Sequence, residues 1–127
     1  NIVRMEWAAF LNRIEKKDFD ATALGWSTSF EGDPYQIWHS SQAKMVRGSN
    51  SISFINAQAD LFIEEARIEF DEDKRNGFYW RLHALIDSEQ PYTFMYASPA
   101  LVVVSKRFAN VRVHKAGLNM LEWEVRK

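Results

Sequence analysis

Cysteine is absent from the 127 residues, which excludes disulfide bonds and metal sites built on thiolates. No apolar run approaches the roughly 18–20 residues that a membrane-spanning helix needs. Residues 100–104, which no apolar run in the chain exceeds in length, have the length of a strand. The net charge is −1, with acids and bases interspersed. The sequence therefore lacks the excess of basic residues that is typical of nucleic-acid-binding proteins, and we expect no nucleic-acid partner.

The sequence also lacks the short motifs that mark common catalytic and metal sites. Gly25 and Gly32 stand alone, so there is neither a glycine-rich phosphate loop nor a G-x-S-x-G nucleophile elbow. The three histidines are His39, His83 and His114. They do not have the spacing that would bring two imidazoles to one metal ion. We therefore expect no catalytic residue, no bound metal and no cofactor.

Aromatic residues are plentiful, with five Trp and nine Phe, which indicates either a dense core or a stacking surface. A chain of 127 residues is long enough to bury a core and most naturally forms one domain. We find no internal repeat and no low-complexity segment. The sequence therefore predicts a single compact unit over residues 1–127.

Helical periodicity and capping residues predict four helices. They span residues 6–17, 34–41, 56–70 and 71–90, with Asp33, Asn56 and Asp71 as N-caps of the last three and Pro91 after the end. The acid-rich run at residues 64–75 is interpreted as the solvated faces of two of these helices.

Apolar and β-branched runs predict the strands. They lie at residues 1–5, 19–25, 92–96 and 101–105, with further β-like residues between 111 and 125. The first two strands and the helix between them would form a β-α-β unit with a right-handed crossover. The predicted fold class is mixed α/β or α+β, with a mixed sheet and packed helices.

The most turn-like segment, residues 24–41, places Trp26 and Trp38 on either side of a loop rich in Ser and Thr. Trp26 follows the predicted strand at residues 19–25, and open α/β sheets commonly place ligand sites at strand ends. The residues themselves leave two readings equally open. The tryptophans either pack the core or line a ligand site in which the neighbouring hydroxyl groups donate and accept hydrogen bonds.

Three stretches in a fixed order resemble part of a known family. They are "FDATALGW…GDPYQIW", "NAQADLFIEEAR" and "FDEDKRNGFYWRLHALIDSEQPYTFMY". Their succession is similar to the C-terminal part of the bacterial extracellular solute-binding proteins of family 5, the dipeptide- and oligopeptide-binding components of ABC importers. The resemblance covers almost the whole chain.

The resemblance implies a function and a setting. Family members are longer, two-lobed secreted proteins that close around a peptide or other small solute and deliver it to the membrane subunits of an ABC permease. We therefore expect a C-terminal lobe fragment of a periplasmic protein or cell-surface lipoprotein, which agrees with a first residue Asn1 in place of Met. Surface that the rest of such a protein would cover is expected to favour self-association of the chain alone.

The resemblance also implies where the solute binds. The candidate ligand-binding residues are Trp26, Ser27, Thr28, Ser29 and Phe30. In the peptide binders an Asp shortly after the Gly-Trp pair receives the α-amino group of the ligand, whereas here Ser29 or Phe30 stands at that position. The alternative hypothesis is a small free-standing α/β enzyme of hydrolase type, which would use Glu31 and Asp33 beside Trp26.

Overall fold

The structure is a computed structural model that describes residues 2–27, 32–97, 99, 101–114 and 116–126. It divides into two compact units. One contains the described residues up to 93, and the other contains those from 94 onward. The prediction that residues 1–127 form a single unit within a longer protein stays a prediction.

Two helices, α3 (Ala57–Ile68) and α4 (Glu72–Glu89), pack together and build the core of the first unit. Asn56 caps α3, because its side-chain oxygen accepts hydrogen bonds from the backbone N–H groups of Gln58 and Ala59. Asp71 caps α4 in the same manner by accepting from Lys74. The core cluster consists of Ala59, Ile63, Leu82 and Ile86, with Tyr35, Trp38, Phe54, Phe62 and Leu85 packed against it. Both predicted caps are confirmed.

Helix α1 (Trp7–Lys16) joins the same unit through polar contacts beyond its C-terminal end. Lys17 takes a left-handed conformation that closes the helix. Its ammonium group donates to the Ala43 carbonyl oxygen and to Ser53 Oγ, the latter at 2.6 Å. The short helix α2 (Tyr35–Trp38) and the 3-10 turn Ser40–Gln42 follow the candidate loop. The helices predicted at residues 6–17 and 34–41 are thus confirmed, the second in a shorter form.

The second unit is built from short antiparallel pairs. Strand β1 (Phe108–Ala109) pairs with β4 (Glu124–Val125), and β2 (Val113–His114) pairs with β3 (Gly117–Leu118). Gly117 has a φ of 107°, a conformation that side chains oppose and glycine accepts. The predicted β character of residues 111–125 is confirmed, and β1 lies before that range.

The helix and strand content confirms the mixed α+β class, but several individual strands are predicted wrongly. The described parts of residues 1–5, 19–25, 92–96 and 101–105 belong to no strand ladder. The predicted parallel β-α-β start is accordingly not found in the described residues. The physical reason is that an extended run becomes a strand only when a neighbour completes its hydrogen bonds, which sequence propensity does not provide.

Within the described ranges, none of the helices is both long and apolar enough to cross a membrane.

Candidate functional site

Trp26 and Ser27, the first two candidate ligand-binding residues, lie outside helices and strands and are exposed at the surface of the first unit. Trp26 is 45% exposed, a large apolar side chain that packing alone leaves half uncovered. The other three candidates, Thr28, Ser29 and Phe30, lie outside the described residues. The candidate set therefore stays a prediction, with the Trp26 side chain partly accessible to solvent.

Trp38, the second tryptophan of the segment, is packed against other side chains, unlike Trp26. Its ring makes edge contacts with Phe54 at 5.6 Å and with Tyr92 at 5.2 Å between ring centres, and it packs against the α3–α4 core. Burial raises the pKa of the Tyr92 hydroxyl, because the phenolate would lose its hydration there. Of the two readings left open by the sequence, core packing is therefore correct for Trp38.

Asp33 connects the end of the candidate loop to helix α3. Its Oδ1 accepts the backbone N–H of Tyr35 at 3.0 Å, which supports the start of α2 as a capping residue should. Its Oδ2 forms an ion pair with Arg67 Nε at 3.2 Å. Both carboxylate oxygens therefore have a partner on the protein. The N-cap of α2 is Pro34 and not the predicted Asp33, because the first helical hydrogen bonds are accepted by the Pro34 carbonyl. The ion pair of Asp33 is a contact that the sequence does not reveal.

The Tyr35 ring lies in contact with two charged or titratable side chains. The Arg67 guanidinium carbon is 4.4 Å from the ring centre, a cation–π distance. The His39 ring stacks on Tyr35 with 4.2 Å between ring centres, and Tyr35 Oη lies 3.0 Å from Ser41 Oγ. Tyr35 is consequently held on several sides, so its position is fixed by side chains rather than by the four-residue helix alone.

His39 is buried, and its two ring nitrogens have different partners. The backbone N–H of Ser41 donates to Nδ1 at 3.1 Å, so Nδ1 carries the lone pair and Nε2 carries the proton. Nε2 then donates to Glu64 Oε1 at 3.1 Å. This neutral tautomer ties residue 39 to α3 without requiring a buried positive charge.

An open groove of 470 Å³ lies beside these residues in the first unit. Its lining combines one aromatic ring, two arginines, amides and apolar side chains; it is formed by Tyr35, Gln36, Gln42, Met45, Val46, Arg47, Gly48, Ser49 and Arg67. The positive charges of the groove are already paired, Arg67 with Asp33 and Arg47 with Glu15 at 3.1 Å. The groove is thus close to neutral and gives no sign of an anion site.

The remaining candidates for chemistry are dispersed. His83 makes an edge contact with Trp80, and His114 Nε2 lies 2.8 Å from Glu122 Oε2. That hydrogen bond holds the pKa of Glu122 below its ordinary value, with a smaller contribution from Arg112. In the described part of the chain, no three His, Cys, Asp or Glu side chains converge as a metal site requires. Of the two acids of the enzyme hypothesis, Glu31 lies outside the described residues and Asp33 is engaged by Arg67.

Arg67 is the residue at this location that sequence reasoning missed. It falls in the acid-rich run interpreted as a solvated face, and its partner Asp33 is remote in sequence. Only the spacing of Asp60, Glu64 and Arg67, at i, i+4 and i+7, carries a signal, since it places the three side chains on one face of a helix.

Comparison with known proteins gives one clear relationship. No family model matches the chain. Over 94 residues, 72% of this chain, the sequence is 37% identical to the oligopeptide-binding protein AppA of Bacillus subtilis strain 168. The solved structure of AppA from Bacillus subtilis in complex with a nonapeptide matches 97% of this chain with a TM-score of 0.72 and 29% identity. The chain spans only 17% of the curated relative and 25% of the solved chain.

The chain is therefore homologous to part of an oligopeptide-binding protein and shares its fold over the matched length. The resemblance predicted from the three sequence stretches is confirmed.

Proposed function

We propose that the chain is part of the solute-binding component of an ABC transporter and contributes to a site for a peptide-like solute. The observation that carries the proposal is the structural match over 97% of the chain to a protein in complex with a nonapeptide. In this proposal residues 1–127 belong to one lobe of a longer two-lobed protein. That protein would work in the periplasm or at the cell surface and would not be an enzyme.

The proposed mechanism is a shift of the equilibrium between an open and a closed state of the two lobes. A solute that contacts both lobes stabilises the closed state over the open state, by the difference between its affinities for the two. The membrane subunits of the permease would then recognise the closed state. No bond of the solute is made or broken, so the residues of this chain have only to provide contacts.

Trp26 is the proposed apolar contact, with Ser27, Thr28, Ser29 and Phe30 as its neighbours at the solute. The half-exposed indole of Trp26 supports this assignment, because an aromatic side chain can bury much area on a ligand at little cost in conformational entropy. The exposed hydroxyl of Ser27 is suited to a hydrogen bond with a peptide group.

The proposal does not include charge recognition of a free peptide amino terminus by this segment. Ser29 or Phe30 stands at the position where the family resemblance implies an Asp. Asp33 does not replace that acid, since its two oxygens are engaged by Arg67 and by the Tyr35 backbone. We therefore expect a site that contacts peptides along their length and tolerates blocked termini.

Isothermal titration calorimetry of the full gene product with mixed-sequence nonapeptides tests the function. We expect binding by the wild type and a loss of affinity of about tenfold or more in Trp26→Ala, as is typical of a central aromatic contact. Trp80→Ala is the matched control, because Trp80 is also exposed but lies on α4. An absence of binding by the wild type, or an equal loss in the control, would contradict the proposal.

Self-association of the chain alone is a further part of the proposal. Large apolar side chains are exposed in both units, among them Phe70, Met95, Leu101, Val103 and Leu121. Apolar surface of this extent normally lies against a partner.

A further inference from the structure

Helix α1 has an apolar face that is left largely uncovered. This face is formed by Trp7, Phe10, Leu11 and Ile14, which have the i, i+3, i+4, i+7 spacing of one side of a helix. None of the four is buried, since Trp7 is 67% and Leu11 is 40% exposed and the other two are half-buried. None belongs to the core cluster of α3 and α4 or packs against it. Within the described part of the chain, α1 therefore lacks the apolar partner that such a helix normally has.

The contacts that hold α1 in the first unit are polar. Glu15 forms an ion pair with Arg47 at 3.1 Å. Lys17, directly after the helix, donates to Ser53 Oγ at 2.6 Å. Both partners lie in the loop at residues 43–54, so the helix is attached through the polar residues at its C-terminal end. Its apolar face is thus held in place without being used for packing.

We propose that the apolar face of α1 is an interface within the full gene product, where it packs against a part of the same protein outside residues 1–127. This inference rests on one element of the proposed function, namely that the chain belongs to a longer protein. The solved relative supports this occupant, because 97% of this chain is matched to only 25% of that one. Most of such a protein lies outside the matched region and is available to cover the helix.

A second copy of the chain fits this face less well. A helix of 10 residues is about 15 Å long and roughly 10 Å wide, so one face offers far less than the roughly 800 Å² per partner of a stable interface. A segment of the same protein needs no such area, because its covalent connection gives it a high effective concentration.

A lipid surface is also a poorer fit. Amphipathic helices that bind anionic membranes use basic side chains on their polar side. In this helix Arg13 is paired with Asp18 at 3.0 Å, and Lys17 is bound to the loop at residues 43–54. Two of the basic side chains that could attract lipid are therefore engaged within the protein.

Thiol accessibility in the full gene product tests the interface. Leu11→Cys places a thiol on the apolar face, and Asn12→Cys, the matched control, places one on the polar side of the same helix. Both residues are exposed within residues 1–127, so the contacts of this chain by themselves predict similar rates of reaction with a maleimide. We expect the thiol of Leu11→Cys to react at least about tenfold more slowly, because only local opening of the interface would expose it. Peptide mass spectrometry assigns the labelled positions.

Hydroxyl-radical footprinting of Trp7 is the second measurement and uses the unsubstituted full gene product, so it does not depend on whether a variant folds. An indole that stays 67% exposed should be oxidised within about twofold of its rate in urea, whereas a covered indole should react at least roughly fivefold more slowly than in urea.

Equal labelling of the two thiols, or a Trp7 oxidation rate close to that in urea, overturns the inference. Protection that disappears on dilution overturns it as well and assigns the face to a second copy. Protection that requires vesicles of phosphatidylcholine and phosphatidylglycerol overturns it in favour of a membrane. If the wild type binds no nonapeptide but Trp7 and the thiol of Leu11→Cys are protected, the proposed solute binding fails and the interface stands.

Discussion

The α3–α4 pair and the described residues between 94 and 104 are both rich in apolar side chains, yet only the first buries them. Ile63 in α3 is 0% exposed, whereas Val103 is 98% exposed. A helix satisfies its backbone hydrogen bonds within itself, so one packed face is enough to hold it. A segment outside helices needs a strand ladder to satisfy its backbone hydrogen bonds, and the described residues between 94 and 104 belong to no ladder. The same apolar content therefore stabilises one region and leaves the other available for a partner.

The largest effect is expected from a substitution that creates a cavity in the core of the first unit. Ile63→Ala should lower the free energy of unfolding by about 2–5 kcal/mol, because it removes buried methylene and methyl groups and leaves a void. Urea denaturation followed by far-ultraviolet circular dichroism measures the change. Ile68→Ala on the same helix is the control, since Ile68 is 70% exposed, and it should change stability by less than about 0.5 kcal/mol. Equal effects of the two substitutions would show that α3 is not packed as described.

The next largest effect concerns the helix caps. Asn56→Ala should cost about 1 kcal/mol and reduce helical ellipticity, because the N–H groups of Gln58 and Ala59 lose their acceptor. Asn119→Ala removes a similar cap, but from a three-residue turn in the second unit. Its helical signal should stay at the wild-type level. A comparable loss of ellipticity in both variants would contradict the assignment of the helical signal to the first unit.

Substitution of the exposed Val103 is expected to have a smaller effect on stability and a clear effect on self-association. Val103→Thr should change the free energy of unfolding by no more than about 0.5 kcal/mol, since its side chain is already in water. Sedimentation velocity of the chain alone should show less self-association than in the wild type. Val3→Thr, at another exposed valine, serves for comparison and should leave association unchanged. If neither variant alters association, residues 94–104 are not the surface responsible.

The smallest expected effect is a pH dependence in the second unit. The hydrogen bond from His114 lowers the pKa of Glu122 below its ordinary value of 4.5. A carboxylate with a lowered pKa contributes stability that is complete above the unfolded value and is lost as the pH falls through the folded value. Acidification from pH 4.5 downward should therefore loosen the turn Met120–Glu122.

NMR amide shifts of residues 119–123 followed during acidification measure this loosening. Glu122→Gln should abolish this component of the titration, because the amide does not ionise. A titration of the same size in that variant would assign the change to another group.

The helices of the first unit could be predicted because their signals are local. Asn56 and Asp71 stand where an N-cap is required, and the apolar residues of α1 recur at helical spacing. The strands could not be predicted with the same success. Residues 19–25 have suitable composition, but a ladder partner is a property of the whole fold and not of the segment. β1 was missed for the complementary reason, since only two residues of it pair with β4.

The candidate ligand-binding residues stay a prediction, and the contacts around them could not be predicted from the sequence. A Gly-Trp pair at the end of an apolar segment indicated Trp26, and the family resemblance supplied its role. The ion pair between Asp33 and Arg67 joins residues that are distant in sequence, and no periodicity links them. Likewise, the tautomer of His39 depends on the Ser41 backbone and on Glu64 together, so it follows from tertiary structure alone.

Deamidation of Asn50 would disturb the loop at residues 43–54. Its side chain is buried; its amide nitrogen donates to the Phe54 carbonyl at 2.8 Å and its Oδ1 accepts from the Phe54 N–H at 2.8 Å. Deamidation, the common spontaneous decay of asparagine, would replace the donor with a carboxylate oxygen. That oxygen would face the carbonyl groups of Phe54 and His39, and an acceptor cannot bond an acceptor. Deamidation would therefore remove one of the contacts that hold the loop at residues 43–54, beside those made by Lys17, and aged material should loosen there before the α3–α4 core is affected.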